Sequence, residues 1–249
     1  NRTNNLNFGG KMYQTEILEQ GCEELGISLS YHQIEQFLTY YESLIEKNKV
    51  MNLTSITDFQ EVMQKHFIDS LSIVKCISMD KIDTVIDVGT GAGFPGIPVK
   101  IAFPHLKVTL LDSLNKRILF LNETAEKLDL DNVEMIHGRA EDFAHNPEYR
   151  EKYDCCVSRA VANLSSLCEY CIPFVKKDGV FISYKSSDSK EEILSAKTAC
   201  FLLGGKIMKT ETFCLPGTDI GRSLVNIKKV KNTPKQYPRK AGIPSKNPL

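Results

Sequence analysis

Hydrophobic positions between Tyr13 and Asp80 recur at the spacing of amphipathic helices. The clearest run follows Ser30, a candidate N-cap, and places six residues on one helical face: Ile34, Phe37, Leu38, Tyr41, Leu44 and Ile45. Residues 12–80 are therefore predicted to form an N-terminal helical region. Residues 1–11 are polar, lack an apolar period and precede Met12, so we interpret them as the remnant of an expression tag.

After Asp80 the pattern changes to short β-rich runs that alternate with helical stretches, as parallel βαβ units require. The predicted strands are Thr84–Val88, Lys107–Asp112, Val133–Ile136, Tyr153–Ser158 and Gly179–Tyr184. The predicted helices are Pro95–Phe103, Leu114–Leu128, Leu164–Pro173 and Ser189–Leu203. The last two runs, Lys206–Cys214 and Ser223–Val230, have no helix between them and are predicted to pair antiparallel.

That ending distinguishes two α/β architectures. A doubly wound nucleotide-binding fold usually ends with another crossover helix, whereas methyltransferase cores typically end in a reversed hairpin. We therefore predict for residues 81–249 a Rossmann-like class I methyltransferase core, in which a mostly parallel sheet ends in an antiparallel hairpin and a basic tail follows.

The formal net charge is zero, with 31 basic and 31 acidic residues, but the charges are unevenly distributed. Ile220–Leu249 contains eight cations and no acid, which leaves 23 basic against 31 acidic residues upstream. A basic segment attached to an acidic body favours a polyanionic partner. A tail that is merely solvated is the alternative.

The chain has no run of about 18 apolar residues, and its N-terminus lacks the pattern of a secretory signal. Its eight cysteines are scattered through apolar segments, which is typical of reduced thiols. We therefore expect a cytoplasmic protein without a membrane span. Cys168 and Cys171 have metal-like spacing but no second pair, so we expect them in the core and predict no metal site.

The most informative stretch, VIDVGTGAGFPG from Val85 to Gly96, joins an apolar strand to a glycine-rich turn that opens a helix. Gly89, Gly91 and Gly93 have no Cβ, so a nucleoside can pack against the backbone amides there. Asp87 lies two residues before the first of these glycines, where its carboxylate can accept hydrogen bonds near a cationic ligand group.

The same stretch formally matches the dinucleotide fingerprint GxGxxG from Gly91 to Gly96. The match begins three residues after the last apolar residue of the strand, and the charge of Asp87 does not favour a pyrophosphate. Both observations argue against a dinucleotide.

Two further acids follow predicted strands. Asp112 ends KVTLLD, where an acid conventionally accepts hydrogen bonds from both ribose hydroxyls; an N-cap of the next helix is the alternative. Ala140 and Glu141 follow the third strand, in the loop that meets adenine in nucleoside-binding folds. The ordered set predicts S-adenosylmethionine as the cofactor.

Several segments together make the chain similar to the ribosomal RNA small subunit methyltransferase G family, also called glucose-inhibited division protein B. They are MNLTSI (51–56), HFIDSL (66–71), DVGTGAGFPG (87–96), GRAE (138–141), SRA (158–160) and YPRKAGIP (237–244). The resemblance implies methylation of N7 of a guanine in the 530 loop of 16S ribosomal RNA. It also implies cofactor contacts by Gly89, Phe94, Ala140, Glu141 and Arg159.

Guanine N7 carries an in-plane lone pair, so alignment suffices and no general base is needed. Arg159 and Lys185 follow the fourth and fifth strands at the ligand-binding edge, and we predict catalytic roles for both. His66 and Asp69 share a helical face and are predicted to brace the cofactor loop; a surface pair is the alternative. The predicted RNA contacts in the tail are Arg222, Lys235, Arg239 and Lys240.

The expected partner is 16S ribosomal RNA or the small ribosomal subunit, bound by a monomer. The sequence after the fourth strand lacks the Asn/Asp-Pro-Pro-aromatic motif of amino-group methyltransferases, which favours a ring nitrogen as the target. Two other functions stay open at this point: an NAD(P)-dependent oxidoreductase, and an RNA-binding protein with a vestigial cofactor site.

Overall fold

The N-terminal region begins with a β-hairpin in the computed structural model, which describes residues 4–249. Strands β1 (Asn5–Phe8) and β2 (Lys11–Gln14) pair antiparallel and precede helices α1 (Glu16–Glu24) and α2 (Tyr31–Met51). The predicted N-cap is confirmed, because Ser30 Oγ accepts from Gln33 N (3.1 Å) and the Gln33 side chain accepts from Ser30 N (2.7 Å).

A second helical stretch in this region has an unusual geometry. It contains α3 (Phe59–Val62), a π-helical segment (Met63–Ile68) and α4 (Asp69–Leu71), followed by a 3₁₀ turn (Ser72–Lys75). A π-helical turn widens the helix and shifts the direction of the side chains that follow it, and such turns are frequent at functional sites. His66 lies within this segment and Asp69 immediately after it.

The main sheet has seven strands, and the bounds of its first, second and fourth members match the sequence prediction. In chain order they are β3 (Thr84–Val88), β4 (Lys107–Asp112), β5 (Val133–His137), β6 (Tyr153–Ser158), β7 (Val175–Ser186), β8 (Gly205–Cys214) and β9 (Gly221–Lys229). Their spatial order is β5-β4-β3-β6-β7-β9-β8, with β3 to β7 parallel and β9 antiparallel to β7 and β8. The predicted mostly parallel, Rossmann-like sheet with its closing antiparallel hairpin is confirmed.

Helices cover both faces of the sheet. They are α5 (Gly96–Ala102), α6 (Asn115–Lys127), α7 (Ala140–Phe143), α8 (Leu164–Cys171), α9 (Lys190–Ser195), α10 (Lys197–Leu202) and α11 (Ile243–Lys246). One buried cluster joins α5 and α6 to the N-terminal helices, and the other joins α8 and α10 to the opposite face. Cys168 and Cys171 lie fully buried in the second cluster, as predicted. No helix within residues 4–249 is long and apolar enough to cross a membrane.

The structure differs from the sequence prediction at several places. Strand β7 starts four residues early, at Val175, and the helix predicted for Ser189–Leu203 is interrupted at Ala196. Residues 5–8 and 11–14 form the hairpin although their sequence has no apolar period. Residues 1–3 lie outside the described part of the chain, and the interpretation of residues 1–11 as a tag remnant stays a prediction.

The basic tail is not an extended solvated segment but is packed against helix α8. The Arg239 guanidinium donates to both carboxylate oxygens of Glu169, with Nη2 2.7 Å from Oε2 and Nε 3.0 Å from Oε1. Glu169 is 0% exposed, so this is a buried ion pair that fixes the tail. Farther along, Ser166 Oγ donates to Pro244 O at 2.8 Å.

Replacing Arg239 with Ala should therefore destabilise the fold. Glu169 would stay buried with only the Arg239 backbone N–H (2.7 Å) still donating to it. An uncompensated buried carboxylate typically costs about 3 kcal/mol of unfolding free energy, which urea denaturation measures. Lys240→Ala, at an exposed neighbouring position, serves as the control and should unfold like the parent. Equal stability of the Arg239 variant would show that the pair does not hold the tail.

Candidate active site at the carboxyl edge of the sheet

A buried carboxylate, that of Asp87, holds the glycine turn after β3 through hydrogen bonds to both ends of the turn. Asp87 Oδ2 accepts from Thr90 Oγ1 and from Gly96 N, both at 2.8 Å. Burial raises the pKa of Asp87 to about 7, against the opposing effect of these hydrogen bonds. Its other oxygen, Oδ1, is buried and has no hydrogen-bond partner among residues 4–249.

All three glycines of the turn have positive φ angles, and Gly93 is also closely packed. Gly89 has φ +71° and Gly93 has φ +103°, both in the region that favours glycine. A Cβ on Gly93 would lie 2.5 Å from Tyr40 Oη, whose hydroxyl also donates to Ala92 O. The N-terminal helix α2 therefore supports the turn directly.

Asp112, at the end of β4, holds the same turn from the neighbouring strand. Its Oδ2 accepts from Gly91 N and its Oδ1 from Leu114 N, both at 2.9 Å. The alternative that Asp112 is the N-cap of α6 is wrong, because the N-cap is Leu114 and no side chain among residues 4–249 caps this helix. The carboxylate is almost fully buried, and Arg117 Nη1 lies 3.4 Å from Oδ2.

A small cleft of about 200 Å³ opens beside these acids. We define it by Gly89, Asp112, Ala140, Glu141, Ala160 and Tyr170, which line it together with adjoining residues. Glu141 accepts from the tail at this cleft, with Gly242 N 3.2 Å from its Oε2. The tail thus contributes to the wall that carries a predicted adenine contact.

A large cleft of about 630 Å³ adjoins the small one, and Ala160 and Ala162 line both. We define it by His66, Asp69, Arg159, Lys185, Glu192 and Arg222, all of which line it. The two clefts lie side by side at the carboxyl edge of the sheet, where parallel α/β proteins bind their ligands.

Asp69 pairs with two arginines inside the large cleft. Its Oδ2 lies 3.0 Å from Arg159 Nη1, and its Oδ1 lies 3.1 Å from Arg222 Nε. Burial raises the pKa of Asp69, whereas the two guanidinium groups oppose that rise. Arg222 reaches this edge because β9 runs antiparallel, so its start pairs with the end of β7 (Ser186 with Arg222).

His66 braces the glycine turn, as predicted, and it also contacts Arg159, which was not predicted. Its ring stacks on Phe94 with centroids 4.4 Å apart and planes 11° apart. Its Nδ1 lies 2.9 Å from Arg159 Nη2, and its Nε2 lies 2.8 Å from Thr54 Oγ1. Since Arg159 can only donate, Nδ1 accepts and the neutral ring donates from Nε2 to Thr54.

Lys185 and Glu192 hold the loop that separates the two clefts. Lys185 Nζ donates to Ala162 O (2.7 Å) and to Glu192 Oε1 (2.8 Å). Glu192 Oε1 also accepts from Leu164 N at 2.8 Å. The residues that sequence reasoning did not identify here are Glu192 and Thr54; Thr54 lies in the MNLTSI segment, and no sequence pattern indicated Glu192.

The predicted site residues do not all reach a cleft. Gly89, Asp112, Ala140 and Glu141 line the small cleft, and Arg159, Lys185 and Arg222 line the large one. Asp87, Gly91, Gly93 and Phe94 shape or support the turn. Lys235 and Lys240 are exposed on the tail, whereas the Arg239 guanidinium is occupied by Glu169. Direct ligand contacts by all of these residues stay predictions.

Comparison with known proteins identifies the family. The profile of the rRNA small subunit methyltransferase G family matches residues 33–219. The chain belongs to this family. A relative of the same name in Lachnoclostridium phytofermentans is 56% identical over 230 residues, or 92% of this chain and 95% of the relative. Another in Bacillus subtilis is 48% identical over 234 residues, or 94% of this chain and 98% of the relative.

Membership of the rRNA small subunit methyltransferase G family makes the chain a methyltransferase of small-subunit ribosomal RNA. This assignment rules out the alternative of an NAD(P)-dependent oxidoreductase. A solved structure from Pyrococcus horikoshii, described as a transferase, covers 92% of this chain and 72% of its own with a TM-score of 0.50 and 10% identity. At that identity the likeness concerns the fold alone.

The neutral state of His66 predicts a specific loss of stability in acid. Burial, aided by Arg159, lowers the pKa of His66 to about 3, whereas an unfolded histidine titrates near about 6.5. Between these values only the unfolded chain binds the proton, so this residue makes unfolding easier as pH falls. The free energy of unfolding should therefore fall by up to about 1.4 kcal/mol for each pH unit below the pKa of the unfolded histidine.

His66→Asn keeps an acceptor for Arg159 but removes the titration, so the variant should lack this slope. Urea denaturation of both proteins from about pH 7 to about pH 4.5 measures it. Asp87 has a raised pKa, so it makes the free energy of unfolding increase as pH falls. Both proteins contain Asp87, so the difference between their pH profiles reports on His66 alone. Parallel pH profiles would contradict the assignment.

Proposed function

We propose that the chain transfers a methyl group from S-adenosylmethionine to N7 of a guanine in the 530 loop of 16S ribosomal RNA. The main support for the proposal is that two clefts adjoin at one edge of the sheet. The small cleft lies beside the strand-end acids, and the large cleft is lined by cationic side chains. The family assignment supplies methyl transfer to small-subunit ribosomal RNA. We propose a cytoplasmic monomer.

The small cleft fits S-adenosylmethionine chemically. Gly89 carries no side chain beside the cleft, and Asp112 and Glu141 are acids at positions suited to hydroxyl and amine donors. Asp87 does not line the cleft, but its Oδ1, behind the glycine turn, is a buried acceptor with no partner among residues 4–249. When bound, the cofactor supplies an electrophilic methyl group on a positively charged sulfur. Asp112 and Glu141 would hold the ribose and adenine, and the glycine turn would hold the remainder.

The large cleft would hold the guanine with N7 toward the shared wall at Ala160 and Ala162. Arg159 is fixed by Asp69 and His66, so it presents a preorganised guanidinium at that wall. Its role would be to orient the base or an adjacent phosphate. No side chain has to remove a proton, because the N7 lone pair is already available.

The decisive experiment offers the protein labelled S-adenosylmethionine together with small-subunit ribosomal RNA, mature small subunits or an unrelated RNA. We expect label in 7-methylguanosine from the 530 loop after digestion to nucleosides. Asp112→Ala should bind the cofactor about 10-fold or more weakly in calorimetry, since the substitution removes a charge-assisted hydrogen bond. Label in another nucleoside, or in none, would overturn the proposal.

We further propose that Lys235 and Lys240 contact RNA phosphates while Arg222 acts inside the large cleft. Replacing both lysines with Gln leaves the Arg239–Glu169 pair intact. RNA affinity should fall, and its salt dependence should become shallower by about 0.7–0.9 for each phosphate that is no longer neutralised. Cofactor affinity is the control and should not change. An unchanged salt slope would mean that the tail is only a packed, solvated surface.

A further inference from the structure

Two carboxylates line the large cleft, and their hydrogen bonding differs. Both oxygens of Asp69 are engaged, one by Arg159 and one by Arg222. In Glu192, Oε1 accepts both from Lys185 and from Leu164 N, whereas Oε2 has no hydrogen-bond partner within residues 4–249. Glu192 is therefore the acid in this cleft that retains an acceptor for a ligand.

Lys185 beside it retains donor capacity. An ammonium group has three N–H bonds, and the two contacts of Lys185 Nζ, to Ala162 O and Glu192 Oε1, use two of them. The side chain is 10% exposed and that of Glu192 28%, so both are held in place yet reachable from the cleft. Together they present one donor and one acceptor side by side.

Guanine carries the complementary pattern on its Watson–Crick edge. Its O6 is an acceptor, and its N1–H and 2-amino group are donors. Adenine presents the reverse at position 6, where its amino group would face the ammonium of Lys185. Both bases expose N7, so a methyltransferase acting on N7 must distinguish them by these other atoms.

We propose that Glu192 and Lys185 together select guanine, with Glu192 Oε2 accepting from the Watson–Crick edge, 2-amino group included, and Lys185 donating to O6. This proposal rests on guanine N7 being the target of the proposed function. The arrangement also suits the reaction, because methylation of N7 places positive charge on the purine and the Glu192 carboxylate lies where it would stabilise that charge.

The test removes the 2-amino group from the RNA base and, separately, the carboxylate of Glu192 from the protein. Ribosomal RNA is prepared by ligation with either guanosine or inosine at the target position; inosine keeps O6, N1–H and N7 but lacks the 2-amino group. The parent should methylate the guanosine RNA with a kcat/KM about 10-fold or more above that for inosine RNA, as expected when a hydrogen bond to a charged group is missing.

Glu192→Gln keeps a carbonyl oxygen that can accept from Leu164 N and changes only the charge and the donor pattern. It should lower kcat/KM on guanosine RNA and reduce the preference over inosine to about 2-fold or less, since the two changes remove the same hydrogen bond. Glu191→Gln, an exposed acid on the same helix, is the matched control and should keep the preference of the parent.

Equal losses on both RNAs for Glu192→Gln would overturn the proposal and assign the residue to loop support alone. No discrimination by the parent would overturn it as well. Failure of the parent to label guanosine RNA at N7 would instead contradict the proposed function, so the two failures are distinguishable. Melting temperature and cofactor affinity, measured for each variant, identify any general loss of structure.

Discussion

The arrangement of the site depends on one buried carboxylate that holds two guanidinium groups from distant parts of the chain. Asp69 belongs to the N-terminal helices, Arg159 follows β6, and Arg222 is the second residue of β9. Removing either arginine would leave a buried charge undercompensated, which is costly, so the three elements must assemble together. The large cleft exists where they meet, and its cationic lining is a consequence of that assembly.

The same constraint explains why the N-terminal helices matter to a site that the sheet provides. Tyr40 contacts the glycine turn through Ala92 O, and His66 stacks on Phe94 of that turn. His66, in the π-helical segment, contacts both the turn and Arg159, and Asp69, directly after that segment, contacts Arg159 and Arg222. The helical region therefore supports both the glycine turn and the large cleft.

Much of the core could be predicted because its signals are local. Strands β3, β4 and β6 coincide with apolar runs of strand length. Asp112 ends β4 and Glu141 lies after β5, and parallel pairing brings the ends of these strands to one edge of the sheet. Pairing between distant side chains leaves no such signal. The run of tail cations predicted a polyanion partner, yet Arg239 is held by buried Glu169, which lies 70 residues earlier in the chain. Glu192 was missed for the same reason, since its partners are set by the loop it supports.

The hydrogen bond between Gly242 and Glu141 has a consequence for the order in which the site is completed during synthesis. The sheet strands that carry the strand-end acids emerge from the ribosome before residue 242 does. A nascent chain can thus form the parallel core while one wall of the small cleft still lacks its hydrogen-bond donor. The small cleft therefore gains this part of its wall only after the chain has been synthesised beyond Gly242 and the tail has packed against α8.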